Sequence, residues 1–401
     1  MAVKKRKLNK FIEKIVEGLL GLSGAITTIT VLLIVIFLFR EGGRIFDASP
    51  VEDGYILVAS TNNPVRKLTA EQVKNIFDKK IKLWSELGIK VSSDSIKTKR
   101  LNDYDEAELG KDYILFGNKI NKWLADNPGG FSAFPAVLSP PQLNGNLVKV
   151  PNLNIRTFLG GKEWLPTATP VAQMGILPLI LGTLWVSFGA ILIAIPLALA
   201  TSLFMSEIAS PRVRNLMKPV IELLAGIPSV VYGFYGLTVI VPGIQAVFNL
   251  NEGLTGLAGS IILGIMALPT IITISEDALR TVPRSLKEAS LALGATHWQT
   301  IRKVILPYSS SGITAGIVLG VGRAIGETMA VLMVTGNSAV IPYTFLKPLR
   351  TIPATIAAEL GESSYGGLHF RALFALGCIL FIITFSINLG FQFIARKRKV
   401  N

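Results

Sequence analysis

Apolar positions in this chain gather into long uncharged runs separated by short charged links. The runs are Gly18 to Phe39 (22 residues), Trp164 to Ser206 (43), Leu223 to Asn251 (29), Gly253 to Ser275 (23) and Ala372 to Ala395 (24). About 20 apolar residues suffice to cross a bilayer, so each run predicts a transmembrane helix. A further run, Val304 to Gly322, continues past Arg323 and Glu327 into Thr328 to Leu346, a span interrupted by two charges. Six transmembrane helices are expected, at 19–39, 174–204, 222–247, 255–275, 309–335 and 372–395. The 43-residue run reads as one span with an approach segment, because Pro166, Pro170 and Pro178 argue against two.

The interval between the first two spans is patterned differently. Counted from Arg40 to Glu163 it holds 18 basic and 15 acidic residues among mixed apolar ones, and its length suffices for a core of its own. Tyr55 to Ala59 reads as a strand stopped by Ser60-Thr61-Asn62-Asn63-Pro64. Thr69 and Gln72 have the spacing of a capping box, followed by an apolar face from Val73, Ile76, Phe77, Leu83 and Trp84. A second amphipathic helix is expected over Asp112 to Leu124, stopped by Asp126-Asn127-Pro128-Gly129-Gly130. The expected fold is thus an all-α polytopic membrane protein with a small α/β domain inserted between helices 1 and 2. Its parts are a basic N-terminus with helix 1 (1–40), the inserted domain (41–165) and a helical core (166–397) containing a charged loop at 276–308.

Half of the 401 residues are hydrophobic and 16% are charged, which points away from a soluble enzyme. The net charge of +14 is explained by topology rather than nucleic-acid binding. Lys4, Lys5, Arg6, Lys7, Lys10 and Lys14 precede the first span, and Arg396, Lys397, Arg398 and Lys399 follow the last. Arg212, Arg214 and Lys218 lie in the second short loop, and Arg280, Arg284, Lys287, Arg302 and Lys303 in the 276–308 loop. The positive-inside rule puts all four segments in the cytoplasm and the inserted domain outside it. The first apolar run is too long for a signal peptide and lacks a small-residue cleavage site, so it reads as an anchor. Cys378, the single cysteine, reads as a packing residue of the last span.

The 276–308 loop contains EASLALGATHWQTIRKVILP, Glu288 to Pro307. Ala289 and Leu293 form an apolar stripe able to enter a groove, Gly294 allows a close contact, and Leu306-Pro307 closes the loop. Glu288 is expected near the start of a short helix, where the dipole favours a negative charge. The E-A-S-x3-G-x9-V-x-L-P spacing resembles the EAA loop of ABC importer permeases, which implies docking into a separate ATPase subunit. No G-x-x-x-x-G-K-[ST] phosphate loop occurs, since Gly161-Lys162 is followed by Glu163. The chain is therefore expected to bind no cofactor and to be no enzyme, with ATP used by a partner.

Within the fifth run, GRAIGETMAV (Gly322 to Val331) places Arg323 and Glu327 four residues apart, on one helix face if the helix is continuous. Arg323 lies about 24 Å along such a helix from Pro307. A charge that deep must face protein or water. Two roles are open: an internal ion pair locking helices, or an arginine fork that meets a passing oxyanion while Glu327 orients it. Gly320, Gly322 and Gly326 would let helices approach around the pair. Glu222, Gly226 and Pro228, with Tyr232 and Gly233, open the third span as a bend, either for packing or lining a pathway. His297 and His369 are isolated in sequence, and no metal role is expected.

GRAIGETMAV is similar to the signature of phosphate ABC importer permeases of the PstC type. IELLAGIPSVVYGFYG (Ile221 to Gly236), SEIASP (Ser206 to Pro211) and ESSYGGLH (Glu362 to His369) follow the same family's order. The resemblance covers roughly 160–396 and implies the six-helix type I importer permease fold in a bacterial inner membrane, with both termini cytoplasmic. It implies phosphate as cargo, with a second permease as heterodimer partner, ATPase subunits and an extracytoplasmic phosphate-binding protein. Asn63 to Gly88 resembles part of phosphate-binding proteins, but Val91 to Arg100 reads VSSDSIKTKR where that family has its anion loop. The insert therefore reads first as a docking surface, with direct phosphate capture as the alternative. Another oxyanion as cargo, or a transmembrane phosphate sensor, are the competing functions.

Overall fold

The computed structural model describes residues 2–397; Arg398 and Lys399 of the basic C-terminal segment lie outside the described residues. Six helices are long and apolar enough to cross a membrane. They belong to α1 (Ala2–Gly43), α4 (Leu177–Leu203), α6 (Ser229–Phe248), α7 (Gly256–Arg280), α9 (His297–Gly326) and α12 (Leu368–Lys397).

The centre of the bundle is α7, which packs along α4 and α9. Small residues permit this. A Cβ at Gly320 would meet the Ile271 side chain, and one at Gly312 would meet Ala278, so a Gly312/Gly316/Gly320 stripe on α9 lies directly against α7. Gly322 and Gly326, expected to play the same part, face open space. α1 leans on α12: Cys378 Sγ donates to the Leu38 carbonyl at 3.2 Å, and Phe37 meets Phe374 edge-on at 5.6 Å. Its remaining apolar side chains, such as Leu20 and Ile34, are exposed, as suits a lipid-facing helix.

Two expected spans differ in detail. The third run is two helices, α5 (Pro211–Gly226) and α6, because Pro228 has no N–H to continue the ladder. Glu222 therefore lies exposed on α5 and does not open the span. The fifth span is also broken: α9 ends at Gly326, and a separate α10 (Met329–Val334) follows.

Between α1 and α4 lies a four-stranded sheet of order β2-β3-β1-β4, with β1 Tyr55–Ser60, β2 Lys97–Arg100, β3 Gly130–Pro135 and β4 Gly145–Leu147. β1 is antiparallel to β3 and β4, and β2 runs parallel to β3. As the central strand, β1 is covered on both faces, which explains its unbroken apolar sequence. Leu57 and Ala59 pack with Phe131, Trp84 and α2 (Ala70–Phe77), whereas Val58 and Phe134 pack with Phe116, Ile120 and Leu124 of α3 (Phe116–Asp126). The Thr69/Gln72 capping box forms at 3.2 and 2.8 Å. α3 starts later than 112 because Asp112 and Tyr113 have positive φ, which no α-helix accepts. A short hairpin, Trp164–Leu165 against Gln173–Met174, leads into α4.

Candidate functional site

The charged loop builds α8 (Arg284–Ala292), which Pro283 precedes and Gly294 ends. Gly294 has φ +83°, a left-handed conformation that any side chain would strain, and its N–H bonds the Leu291 carbonyl at 2.9 Å. Open space surrounds it, so its role is the turn rather than a close contact within the chain. Thr296 and Gln299 then form a reciprocal capping box, at 2.9 and 3.2 Å, that starts α9. Glu288 is the fifth residue of α8, outside its first turn, so the expected dipole benefit does not apply. Ala289 is exposed, Leu293 is 90% exposed and Trp298 62%: an apolar face stands unpartnered at this end of the molecule.

Leu306-Pro307 does not close the loop. The helix runs unbroken from His297 to Gly326, with a wide π-type turn at Ile301–Ile305 immediately before Leu306-Pro307. Proline lacks a donor and crowds the carbonyl four residues back, and a wider turn relieves that clash without ending the helix. Gly236–Ile240 before Val241-Pro242 in α6 repeats the device.

At the far end of α9, Arg323 occupies the last turn. The expected pairing with Glu327 on one helix face is absent, because Glu327 is extended (φ −69°, ψ 133°) just beyond the helix end. The Thr328 hydroxyl bonds the Gly326 carbonyl at 3.3 Å, and Glu327 Oε1 turns back to accept the Ala330 N–H of α10 at 3.5 Å. Such local side-chain bonds compete with helix continuation. Among the described residues Arg323 forms no ion pair. It lies half-buried within electrostatic reach of Tyr232, whose hydroxyl donates to the Leu224 carbonyl at 2.8 Å. Tyr232 thereby satisfies backbone released at the Gly226-Ile227-Pro228 break. Glu327, Thr183, Ser187, Ala324 and Thr351 line a shallow crevice near this junction, too narrow to hold a water molecule.

One cluster escaped sequence reasoning. Glu359, at the end of α11 (Ile352–Glu359), accepts Arg350 Nη1 at 2.6 Å, His369 Nε2 at 2.9 Å and Trp164 Nε1 at 3.1 Å. Burial works to raise the Glu359 carboxyl, but hydrogen bonds from His369 and Trp164 and the Arg350 charge outweigh it and hold it below the usual carboxylate range. His369 is thus not isolated. The three partners of Glu359 lie 9, 10 and 195 residues from it in sequence, and no local spacing signals that they meet.

Six helices long and apolar enough to cross a membrane, one of them broken beside an arginine, define a polytopic membrane protein. Residues 191–400 match the family model described as binding-protein-dependent transport system inner membrane component, and the chain belongs to that family. It is a membrane permease component, not an enzyme. It is 43% identical to the probable ABC transporter permease protein YqgH of Bacillus subtilis over 61% of this chain and 78% of that one. It is 40% identical to the phosphate transport system permease protein PstC of Mesorhizobium japonicum over 58% of this chain and 75% of that one. The methionine ABC transporter MetNI in its inward-facing form overlays 56% of this chain and 95% of that one, at 20% identity and a TM-score of 0.45.

Proposed function

We propose that this chain is a transmembrane subunit of an ATP-driven importer of inorganic phosphate, and that Arg323 meets the anion on its way through. The observation that carries this reading is Arg323 itself: a charge in the last turn of a span, at the end away from the loop, with no ion pair among the described residues, beside a break in two neighbouring helices. Insertion of such a charge costs about 2.5–3.5 kcal/mol, and an oxyanion that binds and leaves supplies a reason to keep it. The planar guanidinium fits phosphate oxygens two at a time. Glu327, folded back on α10, leaves the guanidinium unopposed rather than orienting it. The names of relatives, phosphate transport system permease among them, support the same cargo.

In this reading the exposed face of Ala289, Leu293 and Trp298 docks on an ATPase subunit in the cytoplasm, where both termini also lie. The inserted domain, residues 41–165, stands outside and offers a surface to a phosphate-binding protein or a second permease subunit. ATP closure draws the loops of the paired permeases together and opens the pathway outward; hydrolysis reverses the motion. The test is uptake of phosphate and sulfate by vesicles bearing the complete transporter. Phosphate-selective, ATP-dependent uptake that Arg323→Ala removes is expected. Equal uptake of both anions, or an unaffected Arg323→Ala, would overturn the assignment.

A further inference from the structure

Charge, not only packing, fastens the loop helix α8 to the spans. Lys287 Nζ lies 2.7 Å from Glu207 Oε1, and the Glu207 side chain is 5% exposed. Glu207 belongs to the wide turn Phe204–Ile208 that finishes α4, and the Ser206 hydroxyl donates to the same carboxylate at 3.1 Å. The same turn is held from its other side. Arg214 of α5 donates through Nε to the Met205 carbonyl at 2.7 Å and through Nη2 to the Ser206 carbonyl at 3.0 Å. One turn further along α5, Lys218 reaches Glu276 at 3.2 Å and Asp277 at 3.4 Å, and Glu276, with a side chain 1% exposed, also takes Arg280 at 3.3 Å. The end of α4, with α5 and the end of α7, therefore forms one ion-paired plate, to which α8 is joined through Lys287.

A carboxylate this buried is costly without its partner and specific about where that partner stands. Wide turns are also places where a helix exchanges hydrogen bonds at little expense. We propose that Lys287 and Glu207 are positioning residues of the transport cycle. When a partner ATPase displaces the exposed face of the loop, their ion pair makes the end of α4, and with it α5, move together with α8. Without the pair, α8 can shift while the spans stay behind, and hydrolysis runs on without uptake.

This role presupposes that residues 284–306 meet the ATPase. In vesicles with the complete transporter, ATP hydrolysis and phosphate uptake are measured together for Lys287→Glu, Glu207→Lys and the double swap. Each single reversal is expected to lower phosphate taken up per ATP hydrolysed about tenfold, and the swap to recover most of it. Singles that keep the wild-type ratio, or a swap as poor as the singles while the ATPase still co-purifies, would overturn the role. If a reversal prevents assembly, Lys287→Met and Glu207→Gln replace it, with the same expected drop and a double variant no worse than either single. Leu293→Asp separates the two ideas: an ATPase that still co-purifies with it removes the docking face itself. Loss of the ATPase there, with coupling intact in the Lys287 and Glu207 variants, removes only the pair's role.

Discussion

Arg323 and Arg350 are both arginines at junctions between helices, and their surroundings are opposite. Arg350 stands 2.6 Å from Glu359, in a knot where one carboxylate collects a guanidinium, an imidazole and an indole from Trp164, Arg350 and His369. That knot ties the hairpin leaving the inserted domain to α11 and to the first turn of α12. The nearest acid in sequence to Arg323, Glu327, bonds the Ala330 N–H instead, and the arginine lies within electrostatic reach of Tyr232. A charge paired with a carboxylate holds structure together; a charge with no ion-pair partner among the described residues is available to something that passes.

The contrast can be broken or sharpened in five ways. The largest effect is expected from Arg323→Ala, about a hundredfold less phosphate uptake with the complex still assembled, read by radiolabelled uptake and co-purification. Arg350→Ala should do the reverse, weakening the protein while leaving the cargo site intact. Glu359→Ala comes next: three donors lose one acceptor, and a loss of about 2 kcal/mol is expected, discounted for partial exposure and read from thermal unfolding in detergent. Gly294→Val should cost about 1–2 kcal/mol locally from its left-handed backbone, seen as less ATPase retained on purification.

The smallest effect concerns acid. The Glu359 carboxyl is depressed below the ordinary 4.5, so its stabilisation is complete above that value and fades as pH falls through the lower folded value. Limited proteolysis between the inserted domain and α12 should therefore quicken as pH falls below the ordinary carboxylate value of 4.5 in wild type and not in Glu359→Gln. An unchanged wild-type profile would mean the knot contributes nothing that titrates.

Much of this architecture was legible because long apolar runs and basic clusters are one-dimensional signals. The capping box at Thr69/Gln72 and the short apolar run of β1 are equally local. What the sequence hid is of two kinds. The bend at Gly226 to Pro228 was signalled by its proline, but the break at Gly326-Glu327 carries no Pro and falls in a nearly uncharged stretch, where hydropathy is blind to backbone direction. Hence Arg323 and Glu327, four apart in sequence, part company in space. The ion pairs Lys287–Glu207 and Arg350–Glu359 join residues whose spacing carries no period, and only the folded arrangement of helices brings them together.

The wide turn at Ile301–Ile305 has a further consequence. A π-type turn holds one residue more than the α-helical turn it replaces, and each helical residue advances the side chain by about 100° around the axis. Everything beyond the turn is therefore rotated, as a unit, by that one residue. Arg323 faces where it does because of a count made some twenty residues earlier, beside the loop. Removing a single residue from that turn would swing the guanidinium about 100° around the helix axis, away from the Tyr232 side it now shares.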